Sequence, residues 1–254
     1  MKEKIREFVL AAGADDVGFA AAADYDSPMS PALDSIFPGV KSLIVLAYRE
    51  LATCESESPE VAMNGRLDLM EFSRSMNYKV GRFVQSKCGA KAMTVPISYP
   101  LQMTKETGGA VGEVSLRHAA LAAGLGTFGR NNLILHPELG ARVLFTAILS
   151  DLELESDPRV EESLCDDCQL CVQACPASAL DDEGKTHVMK CLKNSQPYGI
   201  GGAIKFGMKY AEASPDEKRE MLLDPHFWKL YQASIIGFQY FCWNCMKECP
   251  AGQS

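Results

Sequence analysis

Cys165-Asp-Asp-Cys168-Gln-Leu-Cys171-Val-Gln-Ala-Cys175-Pro176 sets four cysteines at the spacing C-x2-C-x2-C-x3-C-P. Two-residue gaps let three thiolates converge on one iron–sulfur cubane from a tight loop. The three-residue gap carries the fourth onto a helix that points away, toward a second cluster. Pro176 suits the first turn of a helix, where a missing N–H costs little. The closing group, Cys242-Trp-Asn-Cys245-Met-Lys-Glu-Cys249-Pro250, is C-x2-C-x3-C-P and lacks one ligand, which Cys191 can supply. The expectation is two [4Fe–4S] clusters. One is held by Cys165, Cys168, Cys171 and Cys249, the other by Cys175, Cys191, Cys242 and Cys245. Zinc is the competing metal, because C-x2-C pairs also build tetrahedral zinc sites. Against it stand the cysteine triple, both Cys-Pro endings and the symmetric sharing. Trp243, inside the second group, is expected to shield a cluster from water and so influence its potential.

The rest of the chain sets the context. Ten cysteines are present, eight of them between 165 and 249, and such crowding in a chain with no export signal points to metal ligation rather than disulfides. Cys54 and Cys88 fall outside the pattern and read as ordinary buried thiols. At 47% hydrophobic and 23% charged, the composition is that of a globular protein. Ile5, Phe8, Val9 and Ala12 lie on one face of an opening helix that Gly13 can stop, which is not the pattern of a signal peptide. No stretch approaches the roughly 20 apolar residues of a membrane span, so a cytoplasmic location without membrane contact is expected. The net charge of −8 argues against a large nucleic-acid footprint.

Residues 1–155 read as an α+β or α/β sandwich that binds a cofactor or partner, and residues 156–254 as a ferredoxin-like double-cluster module with a helical insertion. Asp16–Ala20, Ser42–Tyr48 and a stretch near Ala92–Ile97 look like strands, with helices over Leu67–Lys87 and Val111–Ala123. Asn131–Leu135 and Ala141–Leu149 look like a hairpin around His136–Gly140. Thr53–Met63 reads as a loop and the acidic run Glu153–Glu162 as a linker. The insertion is expected as helices over Pro215–Leu223 and Phe227–Tyr240.

Ahead of the cysteines lies Ala123-Gly-Leu-Gly-Thr-Phe-Gly-Arg-Asn-Asn-Leu-Ile-Leu-His-Pro-Glu-Leu-Gly140. Gly124 can end a helix, and Gly126 and Gly129 let the backbone approach a neighbour closely. With the cysteine pattern after it, this stretch resembles the A-G-[LI]-G-x-x-G-[RK]-N segment shared by epoxyqueuosine reductases and reductive dehalogenases. The resemblance is best over residues 110–180 and the closing cysteines. It implies a nitroreductase-like N-terminal layer that holds cobalamin or a related corrinoid near Gly126, Gly129, Arg130 and Asn131, reduced by the two clusters. It also implies Tyr78 as a candidate proton donor, since dehalogenases use a tyrosine. The partners implied are an external electron donor of the ferredoxin or flavodoxin type and a small-molecule substrate.

Several features depart from the epoxyqueuosine pattern. The acidic residue expected just before Gly112-Glu113 aligns with Ala110, the Asp-Tyr-His motif reads Asn77-Tyr78-Lys79, and the chain stops at Ser254 without a helical-repeat tail. With the acidic balance, these departures make tRNA an unlikely partner. Glu113 and Arg117 read as an i,i+4 pair, and His118, His136, His187 and His226 show no mutual metal spacing. Two other readings stay open. The first is an electron-transfer protein that reduces a partner such as a corrinoid protein. The second is flavin in place of the corrinoid.

Overall fold

The computed structural model describes residues 1–97, 104, 111–181, 186–235, 237 and 240–252. The chain forms two compact units: Met1–Glu50 with Asp68–Gln169 and Cys249–Ser254, and Leu51–Leu67 with Leu170–Glu248. Among the described residues no helix is long and apolar enough to cross a membrane.

The first unit runs through α1 (Lys2–Ala11), β1 (Asp16–Ala21), the one-turn α2 (Leu33–Ile36), β2 (Ser42–Arg49), and α3 (Pro59–Phe83) from Asp68 on. It continues through β3 (Ala92–Thr94), α4 (Leu116–Ala122), β4 (Thr127–Phe128), β5 (Ile134–Leu135) and β6 (Val143–Ser150). Four strands make one antiparallel sheet in the order β1-β2-β6-β3, and β2 pairs with β6 from Ser42↔Ser150 to Arg49↔Val143. Successive side chains of a strand face opposite ways. Leu43, Val45 and Ala47 therefore pack with Ala119, Ala120 and Ala122 of α4, while Ile44, Leu46 and Tyr48 pack with Ile5 and Val9 of α1 and Met76 and Val80 of α3. Helices cover both faces, which is why Ser42–Tyr48 reads as an unbroken apolar run. The expected mixed sandwich is what forms.

Three local expectations are corrected. The expected hairpin is reduced to its turn: His136 and Gly140 exchange two backbone hydrogen bonds at 2.9 Å, but beyond them β5 pairs with β4, and β6 enters the main sheet between β2 and β3. β6 is buried along nearly its whole length, so it gains more in the sheet interior than beside a two-residue strand. The loop assigned to Thr53–Met63 gives way to α3 at Pro59, where proline suits a first helical turn. The acidic linker is no linker. Asp157 accepts from Phe19 N at 2.9 Å, both its carboxylate oxygens accept from Arg6 Nη2 at 3.0 Å, its own N–H donates to Phe19 O at 2.8 Å, and Ser156 Oγ accepts from Ala21 N at 2.8 Å. The free edge of β1 thus satisfies its backbone with this segment.

The second unit is helical: α5 (Leu170–Gln173), α6 (Val188–Ser195), α7 (Ile200–Glu212), α8 (Pro215–Leu223), α9 (Pro225–Ile235) and α10 (Asn244–Lys247). α8 starts where expected because Ser214 and Glu217 cap it reciprocally and Pro215 opens its first turn. Residues 51–67 are held to this unit by Lys247, whose Nζ lies 2.9 Å from Glu57 Oε1.

Candidate metal centre

In the first unit, the loop that carries Cys165 and Cys168 is fixed at several points. Thr127 Oγ1, on β4, accepts from Leu164 N at 3.0 Å. Arg130 N donates to Cys165 Sγ at 3.4 Å. The Arg130 guanidinium grips Asp167 with Nε and Nη2, 2.6 and 2.7 Å from the two carboxylate oxygens. Asp167 sits at φ 57° and Gln169 at φ 64°, left-handed positions that bend the chain between the cysteines. The hydrogen bonds from Arg130 hold the Asp167 carboxyl below the ordinary carboxylate range. Cys249 is buried, and its carbonyl oxygen accepts from Arg142 Nη1 at 3.1 Å. Burial pushes its thiol up first, and the neighbouring Cys165 and Cys168 add to that, against relief from the Ala251 N–H and Arg142.

The second unit gathers the other thiols. Cys171 lies on α5, Cys191 on α6 and Cys245 on α10, with Cys242 just before α10 and Cys175 just after α5. The Cys245 thiol is pushed up to about 12, by burial first and then by Cys242, Cys191, Cys171 and Cys175. Burial and then Cys242 likewise raise Cys191, with Cys175 adding less. These thiols therefore feel one another's charge, and only a bound cation lets several ionise together. Ala179 N donates to Cys175 Sγ at 3.2 Å, Phe241 N donates to Ser195 O at 2.7 Å, and Asn244 Nδ2 donates to Ala174 O at 3.3 Å. Trp243 is 4% exposed and meets Tyr240 edge-on at 5.1 Å. Burial, then the Cys245, Cys191 and Cys242 charges, raise the Tyr240 phenol.

Among the described residues, no three His, Cys, Asp or Glu side chains converge as one metal ion requires. Thiolates around a single zinc would stand roughly 3.8 Å apart, given Zn–S bonds of about 2.3 Å. Those around a cubane stand further apart because each grips a different iron. The donor set is all sulfur, sits beside buried aromatic rings and receives backbone N–H bonds to sulfur. It fits an iron–sulfur cluster.

The other candidate residues fall in separate places. Gly126 has φ 151°, and a Cβ there would strike the Leu135 carbonyl oxygen. A Cβ at Gly129 would come within 2.8 Å of Asn131 Oδ1 and 3.0 Å of Leu135 Cδ1. Asn131 is buried and its Oδ1 accepts from Leu133 N at 3.1 Å. The Cβ direction at both glycines is thus filled by the chain itself. Tyr78 is 68% exposed on α3, while its neighbour Asn77 is buried and accepts from Thr146 Oγ1 at 2.6 Å. Arg117 donates to Asn132 O at 2.9 Å, and because α4 begins only at Leu116, Glu113 and Arg117 are not a helical pair. His136 Nε2 lies 3.0 Å from Asp16 Oδ2, and His118 Nδ1 lies 2.7 Å from Ser115 Oγ, so both rings are tied into the fold. Ala110 lies outside the described residues. Sequence reasoning leaves Arg130 open between an anionic ligand and a surface salt bridge, but it does not name Asp167 as the partner and misses the two N–H bonds to sulfur. The one available signal was Arg130 itself, the charged member of the glycine turn.

A 4Fe-4S binding domain matches residues 158–181. The epoxyqueuosine reductase of Staphylococcus aureus is 38% identical over 139 residues, which cover 55% of this chain and 30% of that protein. The chain therefore spans under a third of that relative in the matched stretch. A solved epoxyqueuosine reductase with an epoxyqueuosine-modified tRNA stem loop shares the fold at TM-score 0.59 and 20% identity, over 100% of this chain and 65% of that one. A reductive dehalogenase whose structure suggests a mechanism for B12-dependent dehalogenation matches at TM-score 0.51 and 18% identity, over 97% of this chain and 37% of that one.

These findings overturn the expectation that tRNA is an unlikely partner, since the fold neighbour that bears the same name as the sequence relative was solved with an epoxyqueuosine-modified tRNA stem loop. The physical reason is that phosphate binding depends on local basic groups, and a net charge of −8 does not describe any one surface. The chain thus carries a 4Fe-4S binding motif, is similar in sequence to epoxyqueuosine reductases, and shares its fold with these and with a reductive dehalogenase.

Proposed function

We propose that the chain reduces epoxyqueuosine in tRNA, in the cytoplasm, with electrons delivered through two [4Fe–4S] clusters. One cluster is held by Cys165, Cys168, Cys171 and Cys249, the other by Cys175, Cys191, Cys242 and Cys245. In this reading residues 156–254 are the cluster part, and residues 1–155 form a nitroreductase-like part for the second cofactor and the substrate. The observation that carries it is the set of neighbouring, partly buried thiols of the second unit, on a chain 38% identical to an epoxyqueuosine reductase over 139 residues.

Bound clusters supply single electrons, and a corrinoid, for which the B12-dependent neighbour is the support, would supply a strongly reducing centre. The chain's own residues do the rest. Backbone N–H groups of Arg130 and Ala179 donate to Cys165 and Cys175 sulfur, stabilising thiolate charge. Trp243 and Tyr240 keep water from the Cys242–Cys245 turn. A corrinoid beside Gly126, Gly129, Arg130 and Asn131 would meet the turn's backbone, because Leu135 fills the Cβ directions of both glycines. Tyr78 remains the proposed proton donor, and its exposure leaves it open to a bound substrate.

The test is anaerobic. Protein reconstituted with iron, sulfide and cobalamin is expected to convert epoxyqueuosine-tRNA to queuosine-tRNA under a low-potential reductant. Fully loaded protein that leaves the modified base untouched would defeat the substrate assignment. A second reading is electron transfer to a separate corrinoid protein, favoured by the engagement of the turn residues with the chain itself. It predicts no tRNA turnover and rapid reduction of such a partner. A flavin would show its own absorption bands over those of the clusters.

A further inference from the structure

From Gly184 to Ala211 the sequence carries Lys185, Lys190, Lys193, Lys205 and Lys209 and not one Asp or Glu, in a chain whose net charge is −8. Chance placement of 33 acidic residues among 254 would put three or four into a stretch of this length. The stretch contains α6, which also carries Cys191. On that helix Cys191 is half-buried and Ser195 fully buried, on one side, while Met189 (67% exposed), Lys190 and Lys193 point to solvent on the other. Among the described residues, neither lysine makes an ion pair. The following helix, α7, repeats the design. Gly202 and Phe206 face α9, where a Cβ on Gly202 would lie 3.5 Å from Leu230 Cδ2 and Phe206 lies 5.7 Å from Phe227. Its outer side shows Ile200, Ile204 and Met208, each more than half exposed, flanked by exposed Lys205 and Lys209. Ile200, Ile204 and Met208 recur every four residues and so form one stripe.

We propose that the outer face of α6, extended by the α7 stripe, is where electrons enter: a docking surface for a small acidic one-electron carrier protein of the ferredoxin or flavodoxin kind. The proposal rests on the assignment of Cys191 as a cluster ligand. Three observations select this occupant. Exposed aliphatic and methionine side chains ringed by lysine match a protein interface with an apolar centre and a charged rim. The lysines complement and steer an acidic partner in a protein that is otherwise acidic and would repel it. A carrier seated on Met189, Lys190 and Lys193 is separated from Cys191 by the width of one helix, about 10 Å. One electron leaves the carrier, which is oxidised, and reduces the cluster held by Cys191, with no proton or further reactant needed. RNA is the other ligand for a basic surface. RNA recognition leans on arginine and on aromatic rings that stack with bases, whereas residues 184–211 contain no arginine and expose Met189, Ile200, Ile204 and Met208.

The experiment uses the whole reconstituted protein, with an acidic flavodoxin in its reduced state as the probe and dithionite as the small-molecule control. Iron is measured first: about eight per chain in the wild type supports the ligand assignment, and a shortfall there defeats that assignment before any carrier is added. In Lys190→Glu/Lys193→Glu protein, the rate of cluster bleaching by flavodoxin is expected to fall about tenfold or more at low salt. The salt dependence should weaken with it, while the dithionite rate and iron content stay at wild-type values. Calorimetry should show the matching loss of flavodoxin binding without turnover. Should the double reversal lose iron, Lys190→Gln/Lys193→Gln, which only removes charge, must show a smaller fall in the same direction. Wild-type rates with flavodoxin in the iron-replete variants would overturn the proposal, as would a wild type that dithionite reduces and flavodoxin does not. Loss of tRNA binding with flavodoxin reduction intact would overturn it in favour of an RNA surface.

Discussion

Arg130 holds Asp167 through two hydrogen bonds while its own N–H points at Cys165 Sγ, so one residue sets both the charge and the hydrogen bonding beside a thiolate. The two carboxylate contacts cancel much of the guanidinium charge, and removing either partner unbalances the pair in opposite senses. Arg130→Gln leaves a carboxylate near the cluster that Cys165 is proposed to bind, which should lower its reduction potential. Asp167→Asn removes a negative charge from beside the guanidinium, which should raise it. Redox titration followed by paramagnetic resonance reads both variants, with iron content as the loading control. Asp167 is solvent-exposed, so added salt should shrink both shifts. Shifts of the same sign would mean that the clamp acts by shaping the loop and not through charge. The clamp was invisible in the sequence because its partners stand 37 residues apart and neither belongs to a recognisable pair. The cysteines were legible because their spacing is local.

Among the elements, the central strands were legible for the same reason, since β1 and β2 carry their signal in contiguous apolar runs. What could not be read was pairing. β6 looks like one arm of a hairpin until the neighbouring β2 is known, and α7 hides behind Gly199, Gly201 and Gly202, which count against a helix by propensity. The turn between β4 and β5 carries an element-level constraint at the same residues that are proposed to face the corrinoid. Gly126 is held at φ 151° with Leu135 against its Cβ position. Gly126→Ala should therefore destabilise the protein by about 1 kcal/mol or more, in urea melts followed by circular dichroism, whether or not cobalamin is present. Unchanged stability with lost cobalamin binding would assign that glycine to the cofactor instead. Ile148, fully buried in β6, provides a core reference: Ile148→Ala should cost about 2–5 kcal/mol, against roughly 0.5 kcal/mol or less for Tyr78→Ala on the exposed face of α3.

For the molecule as a whole, the proposed assignment of eight cysteines makes a stoichiometric claim that each thiol can be asked about separately. Ten thiols are present, and burial does not sort them: Cys54, Cys171 and Cys249 are buried, while Cys88, Cys165 and Cys175 are intermediate. Spacing and charge do sort them. Cys191 raises and is raised by the thiols around it, whereas the Cys88 thiol is raised by burial and eased by the N-terminus and Lys4, with no cysteine among its causes. A [4Fe–4S] cluster that loses one of four thiolates is the one expected to be damaged, because the others bind separate irons and cannot replace it. Anaerobically reconstituted wild type should therefore carry about eight iron and eight sulfide per chain. Cys191→Ser should fall toward about four of each, and Cys54→Ser and Cys88→Ser should stay at the wild-type value. Iron and acid-labile sulfide analysis, alongside the cluster absorption, reads all four proteins. A Cys191→Ser protein with full iron, or a Cys88→Ser protein that loses half of it, would break the pairing. Zinc in place of iron in the wild type would break the assignment itself, since redox-inert zinc could carry no electrons through these thiolates.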